Sequence, residues 1–355
     1  MLKVSSSIPQ TVQLIFGKIL REGAFQGDEE EKVKNVFKLL SELQGVYAKS
    51  YLNLNNIEQV FGALELAKTV GKLGVHSVEE ISELRKALVT LIVGTLEKKV
   101  IYPFNPNYGF VPTAPYQKLA DILKDKGLGE SSIITFNYDV AVDFALYFNG
   151  IPFDYCLVDR QPSKTKLLKL HGSTNWGRCT DASCEDIVPY DLSAFRKAYP
   201  HVMPGGEYVT MPVSKHLRDL QTSHPHAFDT LPVIVPPTWN KTEYHGNLSR
   251  VWHEAANELS MARNIYVFGY SLPETDAFFR YLFALGTIGE TRIRRFWVFD
   301  PDPQKEVESR FRGLLGQGII DRFEIVRLEF PNALDVLRDR LGLTNAVSTF
   351  VMKAR

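Results

Sequence analysis

Six short apolar runs dominate the last two thirds of the chain, and each ends abruptly in polar or turn-forming residues. Ser132–Phe136 leads into Asn137, Tyr138 and Asp139, and Leu167–Leu170 leads into His171, Gly172 and Ser173. Pro232–Val235 leads into Pro236, Pro237 and Thr238, and Asn264–Phe268 into Gly269, Tyr270 and Ser271. Arg295–Phe299 leads into Asp300, Pro301 and Asp302, and Phe323–Leu328 reads as a last strand. Helical patterns separate several of the runs, at Val140–Phe148, Leu248–Ala262 and Thr275–Leu285. Runs of this length are strands, and strands alternating with helices predict an α/β fold: a Rossmann-like parallel sheet flanked by helices. In such folds ligands bind beyond the carboxyl ends of the strands. The polar clusters all fall there, which predicts one shared pocket.

The first third has a different character. A helix is expected from Pro9 to about Leu20, broken by Gly23 and Gly27. Asp28–Glu31 suits a helix start, where the dipole favours acidic residues. Ile57–Leu66 and Val78–Leu96 follow at helical spacing. No strand candidate interrupts residues 22–112, so the stretch reads as a helical insertion or subdomain, and 102–109 as a connecting loop. A helix is expected from Tyr116 to about Lys126. The sheet-forming domain is then 1–21 with 113–335, interrupted by an irregular insertion or lid at 174–230 and followed by a tail at 336–355.

Composition narrows the function. Lysine plus arginine equals aspartate plus glutamate, at 41 each, so no global field draws nucleic acid or an anionic membrane. No apolar stretch is long enough to span a bilayer. The three cysteines, Cys156, Cys179 and Cys184, form no disulfide framework, so a reducing cytoplasm is expected.

Each polar cluster has a chemical and a structural reading. Asn137 and Asp139 sit two apart on a strand-to-helix turn, where both can face a ligand; Asn offers donor and acceptor together. Either one can instead cap the helix that follows. His171, before Gly172, has the titration range of a general base near neutral pH. A backbone-satisfied structural histidine fits as well. Gly269 lets a ligand approach the backbone, and Ser271 lies near a helix start suited to phosphate; an ordinary connection would look the same. Asp300 at a strand end can accept from ribose hydroxyls, or stand in a solvated turn.

The order of these motifs resembles the SIR2 superfamily. Phe136-Asn137-Tyr138-Asp139, then Leu170-His171-Gly172-Ser173-x-Asn175-Trp176, then Gly269-Tyr270-Ser271-x-Pro273-x-x-Asp276 are similar to its bacterial SIR2-like branch more than to protein-deacetylating sirtuins. The resemblance implies NAD as substrate and cleavage of the nicotinamide–ribose bond. It implies that Asn137 positions the nicotinamide ribose and attacking water, Asp139 contacts the carboxamide, and His171 acts as general base. Ser271, Gly269, Thr135 and Asp300 are implied to bind the rest of NAD.

Two departures shape the expectation. Sirtuins usually carry paired cysteine motifs for zinc, whereas Cys179 and Cys184 are the only near pair here, so no zinc is expected. The family's Gly-rich phosphate loop and first strand are also not seen; Val4–Pro9 looks like what would follow them. The resulting expectation is an NAD hydrolase producing nicotinamide and ADP-ribose, of the type used in antiviral defence. Homo-oligomers and a HerA-like ATPase or Argonaute-like partner are implied by the resemblance. The alternatives are a non-catalytic module that senses NAD or ADP-ribose, and an NAD-dependent protein deacylase.

Overall fold

The computed structural model describes residues 31, 34–36, 57–105, 107–125, 130–158, 164–181, 184, 186–198, 208–222, 226–235, 242–273, 277–289 and 291–343. The helix expected at Pro9–Leu20, the Val4–Pro9 segment, and the stretches 236–238 and 274–276 lie outside them.

Helix α1 (Ile57–Val70) packs on α2 (Val78–Lys99). The start of α2 is set by a capping box: the Ser77 hydroxyl accepts from the Glu80 N–H, and the Glu80 carboxylate accepts from the Ser77 N–H at 2.7 Å. Apolar residues at helical spacing, including Phe61, Leu64, Ile81, Leu88 and Ile92, form a core that also takes in Tyr138 and Ile234 from the later part of the chain. A buried Glu65 carboxylate in this core is met by Arg85 at 2.5 Å.

The next segment corrects the sequence reading. The stretch 102–109, expected as a connecting loop, carries strand at both ends: β1 (Ile101–Asn105) pairs antiparallel with β2 (Gly109–Phe110) and with β8 (Tyr208–Thr210). Pro103 and Pro106 hid the strand, because proline lacks the N–H a ladder needs and is ordinarily read as a turn. Tyr102 is the anchor, 2% exposed and edge-on to Phe144 at 5.2 Å.

Two parallel sheets follow, flanked by helices. In the first, β5 (Thr165–Lys169) lies between β3 (Ser132–Thr135) and β4 (Phe153–Asp154). In the second, β10 (Arg295–Phe299) lies between β9 (Asn264–Phe268) and β11 (Phe323–Val326). Among the described residues no ladder joins β3 to β9, so the single sheet expected from the sequence is two half-sheets sharing one apolar core. That core runs from Leu167, Leu168 and Leu170 to Phe296 and Val298. Side chains make the join: Phe136, just past β3, stacks on Tyr270, just past β9, at 4.3 Å and 8°.

The helices of this part are α3 (Ala114–Lys124), α4 (Ala141–Phe148), α5 (Leu192–Ala198), α6 (Thr242–Met261), α7 (Ala277–Gly286), α8 (Glu306–Leu314) and α9 (Phe330–Leu341). Helix α9 continues past position 335, where a tail was expected, and ends at Gly342 in the left-handed conformation that suits a helix C-terminus. Within 174–230 the chain is more ordered than an irregular lid. It holds the hairpin β6 (Trp176–Arg178) and β7 (Ile187–Pro189), then α5, β8 and a 3-10 segment at Val213–Thr222. Val233–Val235 is not a ladder strand, as its apolar run suggested. It makes one bridge, Gly172 with Ile234, and serves as a strap over the His171 loop. No helix of the described residues is long and apolar enough to cross a membrane.

Candidate functional site

The carboxyl ends of β3, β5, β9 and β10 lie at one pole, and the sequence-predicted residues lie there. Thr135 ends β3, and its hydroxyl accepts the Asn137 N–H at 3.1 Å. This short turn leaves Asn137 exposed, Tyr138 buried and Asp139 half-buried. One oxygen of Asp139 accepts the Ala141 N–H at 2.9 Å in a local turn, while Val140 stands at the N-cap of the helix that follows, which has no side-chain cap. Burial, the largest influence, pushes the Asp139 carboxyl above its ordinary range, while the Lys169 ammonium and the Ala141 N–H pull it down.

His171 follows β5 and is 4% exposed. Its ring is edge-on to Phe136 at 5.2 Å and 6.1 Å from Tyr138. Its own carbonyl accepts the Val235 N–H at 2.8 Å, and the Ser173 N–H donates to the Val233 carbonyl at 2.9 Å. The strap therefore holds both sides of Gly172. A side chain there would place its Cβ 2.0 Å from the Val233 oxygen, and φ is +85°. Only glycine fits this turn.

On the second half-sheet, Gly269 has φ +61° and donates its N–H to the Phe299 carbonyl at 3.0 Å. Ser271 is half-buried, and its carbonyl accepts from Arg310 at 3.2 Å. Asp300 follows β10; burial raises its carboxyl and the Asp302 N–H at 2.9 Å lowers it. The Phe136–Tyr270 stack brings the β3 and β9 ends together. His171 packs on Phe136, between Thr135 and Asn137 in sequence, with Tyr270 across the stack; Asp139 instead lines a small cavity with Leu96, Glu97, Tyr102, Thr174 and Met211. Asp300 stands one strand further, beyond the stacked pair Phe268 and Phe299 at 4.8 Å.

Sequence reasoning missed the layer beneath. Lys169 is 1% exposed, and its ammonium meets the fully buried Asp143 carboxylate at 3.0 Å and the Asp139 carbonyl at 2.5 Å. The Tyr155 hydroxyl donates to Asp143 at 2.6 Å, and the Asn175 amide donates to Tyr155 at 3.3 Å and to the Tyr190 carbonyl at 3.2 Å. The Ser173 hydroxyl donates to the Asn175 side-chain oxygen at 2.7 Å, and the Thr174 N–H donates to the Tyr138 carbonyl at 2.9 Å. This network ties the Asn137–Asp139 turn to the His171 loop. The available signal was Lys169, a lone cation in the apolar run Leu167–Leu170. The aromatic pair Phe136 and Tyr270 was also missed, since each reads as core alone.

Among the described residues no group of three or more histidine, cysteine, aspartate or glutamate side chains is placed to hold a metal ion. Cys156, Cys179 and Cys184 are unoxidised thiols.

No family model matches the sequence, and no curated protein matches it. Several solved Sir2 structures match in shape. Sir2Tm bound to a propionylated peptide overlaps with a TM-score of 0.33 and 15% identity, over 66% of this chain and 72% of that one. A Sir2 mutant with a p53 peptide and NAD gives 0.33 and 16%, over 66% and 72%. A Sir2 mutant with deacetylated p53 peptide and 3'-O-acetyl ADP-ribose gives 0.37 and 14%, over 88% and 99%. The overlaps are remote in both sequence and shape.

Proposed function

We propose that this chain is a SIR2-like NAD hydrolase that releases nicotinamide and ADP-ribose, acting in antiviral defence by depleting NAD. The reading is supported by the adjacency of the parallel strands β3 and β5, which Asn137, Asp139 and His171 follow in sequence. The exposed Asn137 amide would orient a ribose hydroxyl and the attacking water. Asp139 is proposed to contact the nicotinamide carboxamide. His171 takes the water's proton as the C–O bond forms, while nicotinamide leaves with the electrons of the glycosidic bond. Positive charge developing on the ribose is met by oriented polar groups in a site walled by Phe136 and Tyr270. Gly269, Ser271, Thr135 and Asp300 are proposed to hold the remainder of NAD. The defence role rests on the motif variants, not on the geometry.

Nicotinamide release from NAD, followed by chromatography, tests this. Asn137→Ala and His171→Ala are each expected to lower turnover by about 100-fold or more while the circular dichroism spectrum is kept. Turnover like the parent in either variant would sink the catalytic assignment. One observation favours a second reading, a non-catalytic NAD or ADP-ribose sensor: His171 is 4% exposed and Asp139 already accepts the Ala141 N–H. NAD-dependent thermal stabilisation with no nicotinamide release would select it.

A further inference from the structure

A cavity lies at the amino-terminal ends of β9, β10 and β11, at the opposite pole from the strand-end residues proposed for NAD. Its volume is about 380 Å³, within the size range of small-molecule sites. It is built from the segments that lead into the three parallel strands: Leu259 and Ser260 before β9, Thr291, Arg292 and Ile293 before β10, and Gly318, Ile319 and Arg322 before β11. Thr287, past the end of α7, completes the wall.

The lining has a definite chemistry. Two guanidinium groups, Arg292 and Arg322, are its charged members, and no carboxylate is among the described residues that line it. In a chain with equal numbers of acidic and basic residues, that is a local excess of positive charge. Arg322 is held in place by the Gly318 carbonyl at 2.5 Å, and no ion pair engages either arginine among the described residues. The Ser260 hydroxyl donates to the Asn257 carbonyl at 2.8 Å, and the Thr287 hydroxyl to the Phe283 carbonyl at 2.7 Å. With their protons committed, both oxygens can only accept. The floor is aliphatic: Leu259 and Ile293 are each 6% exposed, with Ile319 beside them. The wall is also preformed. A Cβ on Gly286 would stand 3.0 Å from Leu259 and 3.1 Å from the Ala256 carbonyl, so α7 closes tightly on α6 at the rim.

Both arginines are exposed, and they stand in the same cavity as the aliphatic floor and the two accepting hydroxyls. We propose that this cavity binds a small phosphorylated nucleoside. Its phosphates would meet Arg292 and Arg322, its hydroxyl or amino donors would meet Ser260 and Thr287, and its flat body would lie on Leu259, Ile293 and Ile319. Guanidinium groups suit phosphate because their paired N–H groups match its oxygens. A nucleic-acid strand is disfavoured, since no aromatic ring lines the cavity to stack a base. The site is separate from the proposed NAD pocket and does not depend on that reading.

Isothermal titration of the full chain with ADP, pyrophosphate, adenosine and a short oligothymidylate tests the proposal. ADP is expected to bind, with adenosine and pyrophosphate each weaker. Arg292→Gln and Arg322→Gln are each expected to weaken ADP by about tenfold, the scale of a lost hydrogen bond to a charged group. Ile319→Trp, which fills the floor without changing charge, is expected to weaken it as well. Four results would overturn the assignment: no ADP binding at millimolar concentration; pyrophosphate binding as tightly as ADP; the oligonucleotide binding more tightly than ADP; or ADP binding that survives both arginine changes but is lost in Asn137→Ala, which places it at the other pole.

Discussion

The Lys169 ammonium and the Asp143 carboxylate face each other at 3.0 Å with 1% and 0% of their side chains exposed. Lys169 also holds the Asp139 carbonyl, so a buried ion pair fixes the backbone of the turn that presents Asn137 and Asp139. Removing one partner strands the other charge in the core. Asp143→Ala is expected to cost about 3–5 kcal/mol, and the double change Lys169→Met with Asp143→Leu to recover much of it. Urea denaturation of the parent and both variants checks this. A loss below about 1 kcal/mol for the single change would show that water reaches the pair.

The pH dependence of stability carries a signature of Asp139. Its folded pKa is raised above its ordinary value, so the folded state holds the proton more tightly than the unfolded chain. Its contribution is therefore fully favourable below the unfolded pKa and is lost as pH rises through the folded pKa. Asp139→Asn keeps an acceptor for the Ala141 N–H and removes the ionisation. The variant is expected to be more stable than the parent at pH 7, with the advantage shrinking toward pH 4. Denaturation midpoints across that range decide it, and an advantage that grows on acidification would contradict the burial argument.

Gly172 is expected to tolerate no side chain. With φ at +85° and the Val233 oxygen 2.0 Å from where a methyl carbon would stand, Gly172→Ala must move the strap or the loop. A loss of about 3 kcal/mol or more is expected from left-handed strain and the clash together. Thermal unfolding reads it directly, and near-parent stability would mean that the strap shifts at little cost.

The Phe136–Tyr270 stack bridges the two half-sheets, which no ladder joins among the described residues. Tyr270→Leu keeps most of the apolar bulk and is expected to cost about 1 kcal/mol from the lost ring pairing. If NAD binds beside this stack as proposed, the same change also raises KM for NAD more than it lowers kcat. A variant altered in stability alone would confine the stack to holding the sheets together.

Much of the architecture was legible because it is written in local periodicity. Short apolar runs ending in polar residues located β3, β5, β9, β10 and β11, and the clusters at their ends located the pole where Asn137, Asp139, His171, Gly269, Ser271 and Asp300 stand. Two runs misled. Tyr102–Asn105 was concealed by neighbouring prolines, and Val233–Val235 has a strand's composition but is used as a strap.

Sequence by itself determined the α/β class and the positions of the strand-end residues, because apolar periodicity and chain reversal act over a few residues. Only the tertiary structure decided which buried polar groups meet. Lys169 finds Asp143, Asp143 finds Tyr155 and Tyr155 finds Asn175 across gaps that no local pattern encodes. The same holds for the split into two half-sheets and for the arginine-lined cavity, which is assembled from segments before three different strands. A buried charge must be paired to be tolerated, but the choice of partner is made by packing, and packing is a property of the folded chain.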